Sequence, residues 1–258
     1  MVDRFFANYV PRRHQFTDSY KYASIMRLDL KEHFRLTAFY LKYYDPREEI
    51  LLGYDPGHFS SVVAAQERKQ GTELRILKEF TCYYPSQQPE LAAAIHEFFG
   101  SDAKNKRIRL YYDRAGNKKK EDYEQITTDA RLLKRELESY GFSVELMNEG
   151  QSTIYYWMQF KLLLLIFGEQ SNSFPRVLVD ENECPNLCSS IMLSPRKKTD
   201  GRIELDKTSE KKVPIKYQAG LTTQLPSALI YLLHGLYYER MPSEYSTMPD
   251  DLPDNMIL

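Results

Sequence analysis

Hydrophobic and polar residues follow their most regular pattern after residue 48. Apolar runs at 50–55, 61–67 and 73–80 are joined by the turn sequences DPGHF and RKQGT. Short apolar runs bounded by Gly, Pro and Asp are typical of strands, and the short links predict an antiparallel three-strand meander. Residues 1–48 are rich in Tyr and Arg and have no single period, so we expect an irregular or partly helical arm there.

Helical and strand patterns then alternate along the chain. Pro89 and Gly100 bracket an apolar segment, which predicts a helix between them. A longer helix is predicted over about 121–140, because apolar residues recur there at spacings of three and four. The other predicted elements are strands at 107–113, 143–148 and 176–180, helices at about 153–167 and 225–239, a short helix containing Leu187 and Ile191, and a hairpin within KKTDGRIELDK.

The predicted element order is β-β-β-α-β-α-β-α. A meander followed by parallel strand–helix units implies an α/β fold with a mixed sheet and helices on both faces. This is the order of the ribonuclease-H-like fold, here with a β-hairpin insertion. We predict three parts: an N-terminal arm or linker remnant at 1–48, a ribonuclease-H-like domain at 49–240, and an acidic, Pro-rich tail at 241–258.

Composition restricts the classes of function. Hydrophobic residues make up 42% and charged residues 28% of the chain, which indicates an ordinary globular protein. The net charge is −1, so contact with nucleic acid requires a local basic patch. An odd count of three cysteines, an N-terminus without the apolar core of a signal peptide, and a longest apolar stretch (160–168) too short to span a bilayer predict a soluble cytoplasmic protein without membrane contact.

Two carboxylates stand at the ends of strands that this fold places side by side. Asp55 ends the first predicted strand, and Asp113 ends the strand after the first helix. Carboxylates this close repel each other unless a divalent cation bridges them, and their hard oxygens suit Mg²⁺ or Mn²⁺. The pair therefore predicts a two-ion site for phosphodiester cleavage. The alternative is that each Asp caps a turn, since Asp-Pro-Gly and Asp-Arg-Ala-Gly-Asn are both turn sequences.

Three stretches carry a resemblance to a known family. The segment from IRLYYDRAGN to LLLLIFG (108–168), the segment VLVDENECPNLCSSIMLSPRKKTDGRI (177–203) and the segment TTQLPSALIYLL (222–233) resemble the nuclease domain of phage large terminase subunits, the DNA-packaging motors. The order of elements matches over residues 50–240. The resemblance implies a phage or prophage endonuclease that cleaves double-stranded DNA by two-metal hydrolysis, with the two carboxylates above as metal ligands and catalytic residues.

The chain departs from that family at the third acidic position. Ser227 stands where the family has a metal-binding Asp, and Gln224 stands where His is common. A hydroxyl is a weaker ligand for Mg²⁺ than a carboxylate, so we expect Ser227, at the third catalytic position, to weaken metal binding. Asp180, at the end of the strand 176–180, is either a substitute metal ligand or an ordinary turn residue.

The motor half of that family has no counterpart in the sequence. A packaging ATPase needs the loop G-x-x-x-x-G-K-[ST], and the chain contains no Gly-Lys pair. We therefore expect the nuclease half alone, as an excised domain, a fragment of a longer protein or a stand-alone relative. The resemblance then implies double-stranded DNA as the substrate, and other packaging-motor components, an ATPase and the portal, as partners.

Two basic clusters are expected at the end of the sheet where the carboxylates stand. They are predicted to guide DNA phosphates, although runs of charge are more often solvated faces. Ser152 opens a predicted helix whose N-terminus either holds a DNA phosphate or is an ordinary cap. The two clusters comprise Lys118, Lys119, Lys120, Arg196, Lys197 and Lys198.

Two other classes of function fit parts of the pattern. The same fold could serve as a catalytically degenerate DNA-binding or assembly module, with Ser227 marking the lost chemistry. An actin-like or sugar-kinase ATPase shares the sheet order but needs a second glycine-rich phosphate loop, which the sequence lacks. Among minor candidates, His58 is predicted to be a solvated turn residue rather than a proton-transfer group, and Cys184 with Cys188 lack the second pair of ligands that a zinc finger needs.

Overall fold

A seven-stranded mixed sheet organises the protein. The computed structural model describes residues 3–26, 35–57, 59–84, 87–122, 125–150, 154–199 and 202–243. The strands are β1 (Gln15–Phe16), β2 (Ile50–Asp55), β3 (Phe59–Arg68), β4 (Glu73–Tyr83), β5 (Arg107–Tyr112), β6 (Lys119–Asp122), β7 (Gln125–Thr128), β8 (Ser143–Leu146), β9 (Arg176–Asp180), β10 (Arg196–Thr199) and β11 (Arg202–Leu205).

Helices connect the strands and cover the sheet. The α-helices are α1 (Pro11–His14), α2 (Tyr22–Ile25), α3 (Gln87–Ile95), α4 (Asp129–Ser139), α5 (Tyr156–Gly168), α6 (Pro185–Leu193), α7 (Ser209–Lys212), α8 (Gln218–Leu221) and α9 (Gln224–Tyr237). A wider π-helical turn, His96–Gly100, continues α3, and 3₁₀ turns occur at Ala38–Tyr40, Arg114–Asn117, Ile215–Tyr217 and Tyr238–Arg240.

The sheet order is β1-β9-β4-β3-β2-β5-β8. Strands β2, β3 and β4 pair antiparallel, whereas β5 pairs parallel with β2 and β8 pairs parallel with β5. This arrangement confirms the predicted meander followed by parallel strand–helix units. Strands β9 and β1 extend the sheet beyond β4, and both of these pairings are parallel. Two hairpins, β6–β7 and β10–β11, stand outside the main sheet.

Each face of the sheet carries its own hydrophobic core. Because successive side chains of a strand point to opposite faces, Leu51 of β2 packs with residues of α5, α6 and α9, while Leu52 packs with residues of α3 and α4. All six residues of β2 are buried. Strand β2, in the interior of the sheet, therefore ends at Asp55 between two helical layers.

Gly53 allows helix α9 to lie directly on strand β2. A Cβ atom built at Gly53 would come within 2.1 Å of the Ala228 carbonyl oxygen and 2.8 Å of the Leu232 Cβ. No side chain fits in that space, so the close approach requires glycine. The contact fixes the first turn of α9, which contains Ser227, beside the centre of the sheet.

The predicted helix over 121–140 is wrong at its start. Residues 119–122 and 125–128 form the paired strands β6 and β7, and helix α4 begins at Asp129. The Thr128 side chain accepts a hydrogen bond from the backbone N–H of Arg131 at 3.3 Å, which caps the new helix. The prediction placed the start of the helix too early, because it followed the spacing of apolar residues. The Thr-Thr pair before the helix favours strand and cap conformations instead.

The N-terminal residues contribute to the core. Phe5, Phe6 and Tyr9 are buried against helix α5, and β1 pairs with the edge strand β9. The division of the chain into an arm (1–48), a domain (49–240) and a tail (241–258) stays a prediction. Most of the predicted tail, from residue 244 onward, lies outside the described residues. No helix in the described part of the chain combines the length and hydrophobicity needed to cross a membrane.

Candidate metal centre

Asp55 and Asp113 follow neighbouring parallel strands. Tyr54 of β2 pairs with Tyr112 of β5, and the two strands are parallel. Asp55 follows Tyr54 and Asp113 follows Tyr112, so the two carboxylates come directly after this pair. Adjacent strands lie about 5 Å apart, which brings the two backbones to the same spacing. Asp55 is only 6% exposed, and Asp113 is half-buried.

The Asp113 carboxylate also caps a turn. Its Oδ1 accepts a hydrogen bond from the backbone N–H of Ala115 at 2.7 Å, at the start of the 3₁₀ turn Arg114–Asn117. The turn-cap interpretation therefore describes part of what this side chain does. The cap also fixes the orientation of the carboxylate relative to the end of β2.

The charge on Asp55 is costly in its surroundings. The pKa of Asp55 is raised to about 7, chiefly by burial; the charge of Lys207 acts to lower it, and the charges of Asp113 and Glu210 add to the increase. Below pH 7 the carboxyl is therefore mostly protonated. A cation bound at this position would favour the charged form.

Lys207 and Glu210 are members of this site that the sequence patterns did not reveal. Lys207 follows β11 and Glu210 lies in α7; the Lys207 Nζ is 3.7 Å from the Glu210 Oε1, which also accepts a hydrogen bond from the Thr223 hydroxyl. Burial acts to lower the pKa of Lys207, but the charges of Asp55 and Glu210 raise it above its usual value. In the sequence, both residues belong to an unremarkable charged stretch, DKTSEKK, after the hairpin.

Ser227 lies in the first turn of α9 and is 1% exposed. Tyr231, one turn later, has its pKa raised by burial and by the charges of Asp55 and Asp113, which shows that this face of α9 is close to both carboxylates. Gln224 lies at the start of the same helix, and its Oε1 accepts a hydrogen bond from the Thr222 hydroxyl. The helix face therefore adds hydroxyl and amide groups to the site rather than a carboxylate.

Asp180 lies apart from the two carboxylates. It ends β9, which is separated from β2 by β4 and β3, a distance of roughly 15 Å across the sheet. Its Oδ1 accepts hydrogen bonds from the Ser19 hydroxyl and from the backbone N–H of Asn182. Burial raises the pKa of Asp180 to about 6. These contacts hold Asp180 in the turn between β9 and α6.

Three acidic side chains do not form a ready-made cluster in this part of the molecule. Within the described ranges, no group of three or more His, Cys, Asp or Glu side chains is arranged to hold a metal ion. Cys184 and Cys188 are both buried in the hydrophobic core, where burial raises their pKa values. The donor set at the end of the sheet thus consists of two carboxylates, with Glu210 nearby.

The predicted DNA-binding residues have diverse surroundings. Lys118 is exposed directly after the Asp113 turn, and Lys119 and Lys120 begin strand β6. On the other hairpin, Arg196 pairs with Asp3 at 3.1 Å and Lys197 pairs with Glu204 at 3.4 Å. Lys197 and Lys198 are both exposed on this hairpin. Ser152 and His58 lie outside the described residues.

The architecture is a ribonuclease-H-like α/β fold. More specifically, the chain has the fold of the nuclease domain of phage large terminases. It is similar to the large terminase nuclease of the thermophilic phage G20c, solved with bound cobalt, with 12% identity over 90% of this chain and 97% of that chain and a TM-score of 0.51.

A second similar structure is a longer protein. The large terminase of another thermophilic bacteriophage, in complex with ATP-γ-S, has 9% identity over 90% of this chain and a TM-score of 0.53, and the match covers 45% of that terminase. No protein-family profile and no curated protein matches the sequence. At such low identity these structures establish the fold alone.

Proposed function

We propose that the protein is a metal-dependent endonuclease of a phage or prophage, which cleaves double-stranded DNA during packaging in the host cytoplasm. The observation that carries this proposal is the pair of carboxylates at the ends of β2 and β5, in the fold of the terminase nuclease domains. Asp55 is buried beside a second carboxylate, which is an unfavourable arrangement unless a cation is present.

Asp55 and Asp113 are the residues that would hold the metal. Their oxygens are hard ligands, which suits Mg²⁺ or Mn²⁺, and a two-ion site would supply an activated water and stabilise the leaving oxygen of the phosphodiester. The Asp113 cap keeps one carboxylate in place, and the burial of Asp55 limits competition from water. The nearby Lys207 offsets part of the negative charge when the carboxylates are ionised.

Contact with DNA would come from local charge, because the whole chain has a net charge of only −1. Lys118 follows the Asp113 turn directly, and the β10–β11 hairpin carries Lys198. These positions suit the guidance of phosphates toward the carboxylates. Partnership with an ATPase and a portal belongs to the same proposal.

Ser227 favours one alternative function. Without a carboxylate on the first turn of α9, the site holds its cations less strongly, and the protein would then serve as a DNA-binding or assembly module of the same fold.

Cleavage of supercoiled plasmid with Mg²⁺ or Mn²⁺ tests the proposal. We expect nicking that requires metal and is lost in Asp55→Asn and Asp113→Asn, while Ser227→Asp cleaves faster and binds Mn²⁺ more tightly in a calorimetric titration, by about tenfold or more. Asp180→Asn is the matched control, since it removes another buried carboxylate at a strand end.

Each outcome of this assay has a meaning. Loss of cleavage in a folded Asp180→Asn protein would assign Asp180 to the metal site. Cleavage by Ser227→Asp but not by the parent would favour the degenerate module. Metal-independent or absent cleavage in every folded variant, with no calorimetric Mn²⁺ binding, would overturn the proposed function.

A further inference from the structure

A cavity of about 160 Å³ opens beside Asp113, between the start of α5 and the β10–β11 hairpin. This volume is the share of about five water molecules in the liquid. The residues that line it include Asp113, Tyr155, Trp157, Gln159, Ile203 and Tyr231. An aromatic and partly polar cavity thus adjoins one of the two carboxylates that we propose as metal ligands.

Gln159 lines this cavity, and its side chain carries an unused hydrogen-bond acceptor. The side chain is 2% exposed, and its Nε2 donates to the Ile154 carbonyl oxygen at 3.4 Å. Its Oε1 is buried and has no hydrogen-bond partner among the described residues. A buried acceptor without a partner costs free energy, so its presence in a cavity wall indicates a ligand that donates a hydrogen bond.

Aromatic rings surround that acceptor. Tyr155 is 58% exposed although it directly precedes helix α5, and the Lys161 Nζ lies 5.0 Å from the centre of the Trp157 ring. Large exposed aromatic side chains cost hydration free energy unless they stack on another surface. Flat rings beside a basic group are the elements that proteins use to stack nucleobases.

We propose that this cavity receives one unpaired nucleobase of a DNA strand that passes along this end of the sheet. The base would stack on Tyr155 and Trp157, and its amino group would donate to the Gln159 Oε1; the amino groups of adenine, cytosine and guanine are such donors. This inference rests on the proposed function, because it takes DNA as the ligand. It adds a substrate preference: duplexes with a bulged, flipped or frayed base bind better than perfect duplexes.

Binding of a short duplex with a single bulged 2-aminopurine, compared with the same duplex fully paired, tests this inference. The full chain is used in EDTA, so that no cleavage occurs, and binding is followed by anisotropy and 2-aminopurine fluorescence. We expect the bulged duplex to bind roughly 5- to 100-fold more tightly, the range that stacking of one base supplies, with quenched fluorescence.

Variants assign the effect to the cavity. Tyr155→Leu and Gln159→Leu should each reduce the preference for the bulged duplex at least about threefold, whereas Tyr22→Leu, which removes another exposed tyrosine on α2, should leave it unchanged. Thermal unfolding of each variant identifies any loss of fold. If Gln159→Leu unfolds, Tyr155→Leu, at the exposed mouth, still decides the question.

Equal binding of the two duplexes, or a preference that survives Tyr155→Leu, would overturn the cavity proposal. The result is separable from the nuclease assay, because binding in EDTA needs no metal. Metal-dependent plasmid cleavage without a bulge preference would overturn the cavity alone, and a bulge preference without cleavage would support the cavity while the nuclease proposal fails.

Discussion

Single residues at the end of the sheet link metal binding to protonation. The pKa of Asp55 is raised to about 7, chiefly by burial and to a smaller extent by the charges of Asp113 and Glu210. Lys207 acts in the opposite direction and is the basic group that most affects Asp55. A site of this kind binds a cation and a proton in competition, since a metal ligand must be deprotonated.

Mn²⁺ affinity is therefore expected to increase with pH. Asp55 is mostly protonated at pH 6 and mostly ionised at pH 8, so the apparent affinity of the wild-type protein should rise about tenfold over that range. Isothermal titration calorimetry at pH 6, 7 and 8 measures this rise. A flat profile would show that Asp55 does not bind the ion.

Lys207→Met provides the control for that pH dependence. Without the ammonium group, the pKa of Asp55 should increase, and the rise in Mn²⁺ affinity should move to higher pH. Lys211→Met, in the adjacent helix α7, removes an exposed lysine that does not contribute to the pKa of Asp55. Its profile should match that of the wild type.

Elements place these residues through a few close contacts. Helix α9 lies on β2 because Gly53 leaves room for the Ala228 carbonyl, and this contact brings Ser227 and Tyr231 to the end of the sheet. The start of helix α5 and the β10–β11 hairpin line the cavity beside Asp113. The position of the site therefore depends on helix-to-sheet packing as much as on the strands.

Gly53→Ala is expected to separate α9 from β2. The added methyl group meets backbone at 2.1 Å, which a core cannot absorb without movement, so the free energy of unfolding should fall by about 3 kcal/mol. Urea unfolding in EDTA measures the loss. Gly57→Ala is the matched control, because its nearest contact is an ordinary 3.7 Å, and it should cost no more than about 1 kcal/mol. Equal stability of the two variants would contradict the close packing.

The whole molecule combines a nearly neutral charge with a proposed polyanionic substrate. With a net charge of −1, its attraction to DNA depends on where the cations lie rather than on how many there are. Lys118 lies just beyond Asp113, whereas Lys104 is an exposed lysine before β5, at the opposite end of the strand. The two positions allow local charge to be distinguished from total charge.

Lys118→Gln should weaken the binding of duplex DNA. It should also make the slope of the logarithm of the binding constant against the logarithm of the salt concentration less steep, by the amount that about one phosphate contact contributes. Lys104→Gln changes the net charge equally and should have little effect. Fluorescence anisotropy between about 50 and 200 mM salt, without divalent metal, measures both slopes. Equal slopes for the two variants would mean that Lys118 makes no phosphate contact.

Much of the fold could be predicted because strands and helices have local periodicity. The runs at 50–55 and 176–180 match β2 and β9 residue for residue, and alternation of side chains explains both cores. The prediction failed at 121–122 and 125–128, where the helical spacing of apolar residues competed with β-branched residues and a helix cap. There the local signals disagreed, and a hairpin formed.

The sequence by itself determined the strands of the meander, the parallel strands that follow them and their order along the chain, and hence that Asp55 and Asp113 end neighbouring strands; it did not show β1, β6 or β7. Only the tertiary structure decided the rest of the site: Lys207 and Glu210 reach the carboxylates from a charged stretch with no periodic signal. It also decided that Asp180 lies three strands away and that Gln159 faces a cavity. The physical reason is the difference in distance along the chain. Periodic patterns reflect interactions between residues a few positions apart, whereas the burial and charge of Asp55 depend on segments more than a hundred residues away in the chain, such as the one that contains Lys207.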